Sequence, residues 1–186
     1  MAKQERISSE RVYEGAFFNV RRDRIRVNKD TGPVEAVVEV VEQVSAVVLV
    51  PVDAEGNVLL VRQYRWAIES LLLEAPAGKL EQGEEPEQGA HRELREETGH
   101  AADRLLRMGG FWMAPGYSTE YMHAFLATDL RPDPLPSDED EDIEVVPIPW
   151  KSIPDLIRNG TIQDSKSLTA LQMAYFLFQS KAGVEV

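Results

Sequence analysis

The sequence predicts an α/β sandwich in which a mixed sheet lies between helical layers, preceded by a small N-terminal antiparallel β subdomain. Three observations carry this expectation. Residues 46–52, AVVLVPV, are a nearly continuous apolar run that fits a strand buried on both faces. Strand-like segments give way to helical ones at two points, near Pro86 and after Trp150, as a layered α/β fold requires. Residues 10–44 are β-rich, interleaved with charge and free of helical period. The expected division is 1–44 for the subdomain and 45–186 for the main domain.

In chain order, residues 1–9 are polar and read as loose. Val12 to Val27 carries aromatic and β-branched residues typical of strands. Asp30-Thr31-Gly32-Pro33 supplies turn chemistry before a second β-rich run, Val34 to Val44. A sheet of two or three strands is marginal alone, so this one should pack on further structure, such as a second subunit. Ala46 to Val52 and Val58 to Trp66, linked by the turn Asp53-Ala54-Glu55-Gly56-Asn57, read as a central hairpin. Leu71 to Ala75 is a strand ending at Pro76, and a glycine-punctuated loop follows. Arg104 to Met113 and Tyr121 to Leu130 read as strands around the loop Ala114 to Glu120. An acidic run, 137–142, precedes a strand from Ile143 to Ile148. Helices are expected over about 152–158 and over Ser165 to Ser180, where Leu168, Leu171, Met173, Tyr175, Phe176 and Phe178 read as a core-packing face.

Composition narrows the function. With 186 residues, 43% hydrophobic and 28% charged, the chain can bury a real core. Its net charge of −12 argues against a sequence-independent grip on nucleic acid or on an anionic membrane. The absence of cysteine excludes disulfides, thiolate metal sites and cysteine nucleophiles. No apolar h-region follows Met1, and no apolar run approaches the ~18 residues of a membrane span, so a soluble, cytoplasmic protein is expected.

The chemistry concentrates between Gly78 and Gly99, GKLEQGEEPEQGAHRELREETG. Pro86 sits just inside a helix start and Gly99 just past its end, because Pro lacks an N–H and Gly tolerates positive φ. At ~100° per residue, Glu93, Glu96 and Glu97 fall on one face. Like charges at these spacings destabilise a helix, so the face must be solvated, paired with bases or occupied by a cation. A carboxylate and water site suits Mg²⁺ or Mn²⁺ rather than zinc, which calls for His or Cys.

Gly78, five residues, Glu84, seven residues, Arg92-Glu93-Leu94, one residue, Glu96-Glu97, one residue, Gly99 resembles the signature of the Nudix hydrolases. One departure is His100, where the family usually has an aliphatic residue. The resemblance implies a Nudix α/β/α sandwich and hydrolysis of a nucleoside diphosphate linked to another group. It also implies metal ligation by Glu93, Glu96 and Glu97 with the Ala77 carbonyl, and supporting roles for Glu84 and Arg92. Glu74-Ala75-Pro76-Ala77-Gly78, Val61-Arg62-Gln63-Tyr64-Arg65 and Pro115 are similar to the ADP-ribose and ADP-sugar pyrophosphatase branch. That likeness implies cleavage of ADP-ribose to AMP and ribose 5-phosphate, and a homodimer whose N-terminal sheet crosses to the partner.

On the substrate side this resemblance puts Arg65, Phe17, Pro115, Gly116, Glu84 and Gly78. Arg65 would clamp the diphosphate bidentately, with Arg62, three residues earlier and on the opposite strand face, as its rival. Phe17 would stack on the base, an interaction worth ~1–3 kcal/mol. The branch often draws its general base from an acidic loop. Here the expectation falls on Glu141, then Glu139 and Glu120, with a motif glutamate as another possibility. His91, His100 and His123 lack ligand spacing and read as structural. The rival enzymatic substrates are another nucleotide sugar or an oxidised nucleoside triphosphate. A nucleotide-binding sensor without hydrolysis is the alternative of another class.

Overall fold

A computed structural model of the chain describes residues 3–136 and 142–180. These form two compact units, one of residues up to Ser45 with Trp112–Tyr121, the other of Ala46–Phe111 with the chain from Met122 onward.

In the first unit, β1 (Lys3–Glu14), β2 (Asn19–Lys29) and β3 (Gly32–Glu42) make an antiparallel sheet in the order β1-β2-β3. Residues 3–9, expected to be loose, are paired along β2. Their polar side chains find partners there: Ser9 Oγ donates to Asp23 at 2.6 Å and Arg6 lies 3.2 Å from the same carboxylate. The Val12 to Val27 run is interrupted by a turn in which Gly15 N–H donates to the Phe18 carbonyl. On the other face Arg22 pairs with Glu39, and Arg24 and Arg26 with Glu35. The Trp112–Tyr121 segment joins this unit by long-range bonds: Val41 N–H donates to the Tyr117 carbonyl and Thr119 N–H to the Val41 carbonyl.

The second unit holds two sheets. β4 (Ala46–Pro51), β7 (Ala77–Lys79), β8 (His100–Trp112) and β9 (Tyr121–Pro132) run in the order β7-β4-β9-β8. The sheet is mixed, because β4 is antiparallel to β7 and parallel to β9. β5 (Asn57–Arg65), β6 (Ser70–Glu74) and β10 (Glu144–Pro149) form the second, in the order β10-β5-β6. The expected central hairpin is therefore absent. β4 and β5 lie in different sheets, joined just beyond β4 by the bridge between Val52 and Val58 and the bond from Asp53 N–H to the Asn57 carbonyl, because each apolar strand has other neighbours on both edges. β7 also corrects the reading of Ala77–Lys79 as loop.

Helices α1 (Pro86–Thr98), α2 (Ile153–Arg158, after a 3-10 turn at Trp150–Ser152) and α3 (Ser165–Ser180) complete the unit. α1 begins with Pro86 and a Gln88 side chain accepting from Glu85 N–H at 3.2 Å. It ends where Gly99 takes φ 72° and donates to the Arg95 carbonyl. Its apolar residues Ala90 and Leu94 pack on Val47, Leu49 and Phe125. Val48 and Val50 point to the opposite side of β4, and α3 also contacts that strand. On α3 the buried positions are Ser167, Ala170, Leu171 and Ala174. That corrects the expected apolar face. Leu171 of that face is buried, but Tyr175 and Phe176 are exposed, since the small residues Ser167, Ala170 and Ala174 at i, i+3 and i+7 allow closer approach to the core than large aromatics.

Leu94→Ala should destabilise the fold by ~2–5 kcal/mol, the range for a fully buried leucine leaving a cavity. A lower urea midpoint at unchanged m would show it; an unchanged midpoint would refute this account of α1 packing.

Candidate active site

β6 delivers the chain through Ala75 and Pro76 into β7, and the following loop leads to α1. Along this path backbone and carboxylates meet closely. A Cβ on Gly78 would lie 2.0–2.2 Å from the Glu93 carboxyl group, so a side chain at this position would force that carboxylate to move. Ala77 N–H donates to Glu97 Oε2 at 2.9 Å. Glu93 and Glu97 are buried, at 8% and 5% exposure. Buried carboxylates need hydrogen bonds and opposite charge to remain ionised.

Arg92 supplies much of that charge. Its Nε and Nη2 donate to Glu84, both at 2.9 Å; Nη1 donates to Glu93 at 2.7 Å and Glu96 at 2.8 Å; Nη2 also reaches the Lys79 carbonyl at 3.0 Å. Glu84 accepts a further bond from Glu81 N–H. The bonds to Glu84 foremost, and those to Glu93 and Glu96, hold the Arg92 guanidinium still more firmly protonated than usual. Arg92 in turn keeps the Glu84 carboxyl below its ordinary range.

A second cluster adjoins the first. Arg65, at the end of β5, donates from Nε and Nη2 to Glu74 at 2.5–3.2 Å. Glu74 is almost fully buried and takes a second cation from α3, the Lys166 ammonium at 2.8 Å. Lys166 also reaches Asp164 at 3.0 Å, and Asp164 accepts from Ser167 N–H across the first turn of α3. Ser167 Oγ accepts from Ala75 N–H at 2.6 Å. Burial alone would raise the Glu74 pKa, yet Arg65 and Lys166 outweigh it and hold the carboxyl below its ordinary range. For Arg65, burial works against protonation, while Glu74, Glu97 and Asp164 overcome it.

Six carboxylates, Glu74, Glu84, Glu93, Glu96, Glu97 and Asp164, thus face three cations, Arg65, Arg92 and Lys166. Among the described residues no three His, Cys, Asp or Glu side chains converge as a closed metal cage, and Glu93 and Glu96 close on Arg92. The donor chemistry and the excess negative charge nevertheless fit a hard divalent cation, which oxygen ligands favour.

Other expected residues lie elsewhere. Arg62 makes an exposed pair with Glu144 at 2.7 Å, on the far edge of β5. Phe17, 74% exposed, Pro115, Gly116 and Glu120 belong to the N-terminal unit. Glu139 and Glu141 fall outside the described residues. His100 Nδ1 lies 2.7 Å from the Thr98 carbonyl, so a hydrogen bond replaces the aliphatic packing usual at that position. Burial, helped by Arg107, lowers the pKa of His123.

Comparison with known proteins matches residues 42–171 to the NUDIX domain. The chain belongs to the Nudix family. An ADP-ribose pyrophosphatase of Bacillus subtilis (strain 168) is 33% identical over 172 residues, covering 91% of each chain. A GDP-mannose pyrophosphatase of Yersinia pestis is 35% identical over 134 residues, covering 67% of each. A crystal structure of an ADP compounds hydrolase superposes with a TM-score of 0.86 at 28% identity, over 98% of this chain and 97% of the other. The protein is a Nudix hydrolase, and its fold is the mixed α/β Nudix fold with antiparallel N-terminal strands.

For this Nudix hydrolase, sequence reading gave no role to Glu74, Asp164, Lys166 or Ser167. The available signals were the family-like segment that begins at Glu74 and Asp164 ahead of an apolar helical run, a capping residue by position. Nothing local connects Lys166 with Glu74, which lies 92 residues away.

Two outcomes are expected. Gly78→Ala should displace the Glu93 carboxylate and abolish most hydrolysis while leaving a folded protein; full activity with native-like circular dichroism would contradict the close approach. Because the Glu84 pKa is depressed on folding, its contribution is complete above its unfolded pKa of about 4.3 and is lost as pH falls through the lower folded value. Glu84→Gln should therefore be less stable than wild type at pH 7, with the gap closing below about pH 4 in denaturant midpoints.

Proposed function

We propose that the protein is a divalent-metal-dependent pyrophosphatase that hydrolyses ADP-ribose to AMP and ribose 5-phosphate. The observation that carries this reading is the acidic platform of α1 set beside a guanidinium: Glu93 and Glu97 buried against the Ala77-Gly78 backbone, with Arg65 close enough to feel the Glu97 charge. ADP-ribose as substrate is supported by the likeness to an ADP-ribose pyrophosphatase over 91% of each chain. The likeness to a GDP-mannose pyrophosphatase favours a second reading, another nucleotide sugar at the same site.

Glu93, Glu96 and Glu97, with the Ala77 carbonyl, are the groups that would hold Mg²⁺ or Mn²⁺. When bound, such a cation offsets charge on the non-bridging oxygens and lowers the pKa of water. The chain's own groups do the rest. Arg92 and Glu84 keep loop and helix in register. Arg65 donates to a phosphate oxygen, its planar fork giving an orientation that lysine could not. A base, assigned to Glu141, takes the proton of the attacking water as its oxygen bonds to phosphorus. The bond from that phosphorus to the bridging oxygen breaks, and the bridging oxygen leaves on the other phosphate. In this reading Phe17, Pro115 and Gly116 contribute base and loop contacts, and two copies of the chain pair through the N-terminal sheet in the cytoplasm.

Glu97→Gln should lower Mg²⁺-dependent kcat/KM by at least ~10²-fold, since it removes a charged ligand rather than a supporting group. Phosphate release after coupled phosphatase treatment, measured with ADP-ribose, ADP-glucose, GDP-mannose, NADH and 8-oxo-dGTP, decides the substrate. ADP-ribose should give the highest kcat/KM. Indifference to ADP-ribose would reject the narrower reading, and full activity of Glu97→Gln would reject the metal assignment.

A further inference from the structure

The first turn of α3 grips the active-site segment at two points. Ser167 Oγ holds Ala75 N–H, and Lys166 holds the Glu74 carboxylate. Neither contact touches the α1 carboxylates, yet both bear on Arg65, because Glu74 is its partner. The geometry of Arg65 is specific: Nε and Nη2 share the Glu74 carboxylate side-on, while Nη1 donates to no described residue. Its side chain is 38% exposed, whereas Glu74 beneath it is 2% exposed and Lys166 14%. The Arg65 side chain is thus partly open to solvent while the carboxylate that anchors it is not.

We propose that Lys166 is a positioning residue for substrate binding: by taking part of the Glu74 charge from the α3 side, it leaves the Arg65 guanidinium incompletely neutralised and orients its Nη1 edge for the substrate diphosphate. This rests on the reading of the site as a diphosphate hydrolase. Glu74 is a single buried carboxylate between two cations, and at 2.8 Å, with both groups withdrawn from water, the Lys166 contact is little screened. Asp164 keeps the ammonium in place from the other side and has one oxygen, Oδ1, buried without a partner among the described residues. Without Lys166, Glu74 has one cation left. It then competes with the diphosphate for the whole guanidinium, and substrate binding weakens while the groups that act on the attacking water stay in place.

Three variants test this in the full chain with ADP-ribose and Mg²⁺. Lys166→Met should raise KM about tenfold with kcat within about twofold of wild type, the pattern of an interaction lost in ground and transition states alike. Lys166→Arg should restore KM. In an Arg65→Ala background Lys166→Met should change KM by less than about twofold, since the effect passes through Arg65. Thermal unfolding reports whether each variant folds, and Lys166→Gln, also uncharged, replaces Lys166→Met if the latter does not. An unchanged KM in a folded uncharged variant would overturn the proposal. So would a KM increase of equal size with and without Arg65, which marks a merely structural lysine. A wild-type protein inert towards ADP-ribose would instead overturn the functional reading, and it is recognised before any variant is made.

Discussion

Arg92 is the group on which the rest of the site depends. Four carboxylates on or near α1 would repel one another in a low-dielectric setting, and like charges three and four residues apart weaken the helix that carries them. One guanidinium, planar and always charged, reaches Glu84 in the loop and Glu93 and Glu96 on the helix with its five donors. It also ties the Lys79 carbonyl. Loop and helix are therefore fixed to each other by the same interaction that makes the acidic face tolerable. A lysine could neutralise charge there, but its point-like ammonium could not span both elements.

The segment Glu74–Lys79 is the other half of this arrangement. β4 pairs with it at Ala77–Lys79, α1 presses Glu93 against Gly78 and accepts Ala77 N–H at Glu97, and α3 holds Ala75 and Glu74. β4 itself carries α1 on Val47 and Leu49 and also meets α3. Three elements distant in sequence converge on six residues, so the backbone that faces the carboxylates has little freedom. Catalytic groups held in this way lose less entropy when a substrate binds, which is the use of a rigid scaffold beneath a reactive site.

What could be read from the sequence follows the range of the interactions. α1 and its boundaries at Pro86 and Gly99 were legible because caps and helical period are local. The buried character of β4 was legible from its apolar run, but its neighbours were not, because pairing between β4 and β9 joins residues more than 70 apart and leaves no local trace. The same limit explains the false central hairpin. The first part of β1, residues 3–9, was missed for a different reason: its residues look solvated one by one, and partners such as Asp23 on β2 satisfy its polar face. That Glu93, Glu96 and Glu97 lie on one face of α1 was readable from the helical period. The hold of Ser167 on Ala75 and of Lys166, backed by Asp164, on Glu74 was not, since a lysine in the first turn of a helix has no signature until the fold brings Glu74 to it.

Charge explains why the site is built from guanidinium and shared carboxylates rather than from free cations. The chain carries −12 overall, so its far field repels a diphosphate. Each of Arg65, Arg92 and Lys166 is already bonded to at least one carboxylate, and the local balance stays negative. Attraction for an anionic substrate therefore cannot come from the protein's charge as a whole. It must arise at short range, from directed donors such as the outer edge of Arg65 and, in the proposed mechanism, from a cation held by the same carboxylates that would otherwise exclude the ligand. In that proposed mechanism an acidic platform would repel its substrate until such a cation is held, and binding would be tied to catalytic competence, because the charge that would admit the diphosphate would also activate the water.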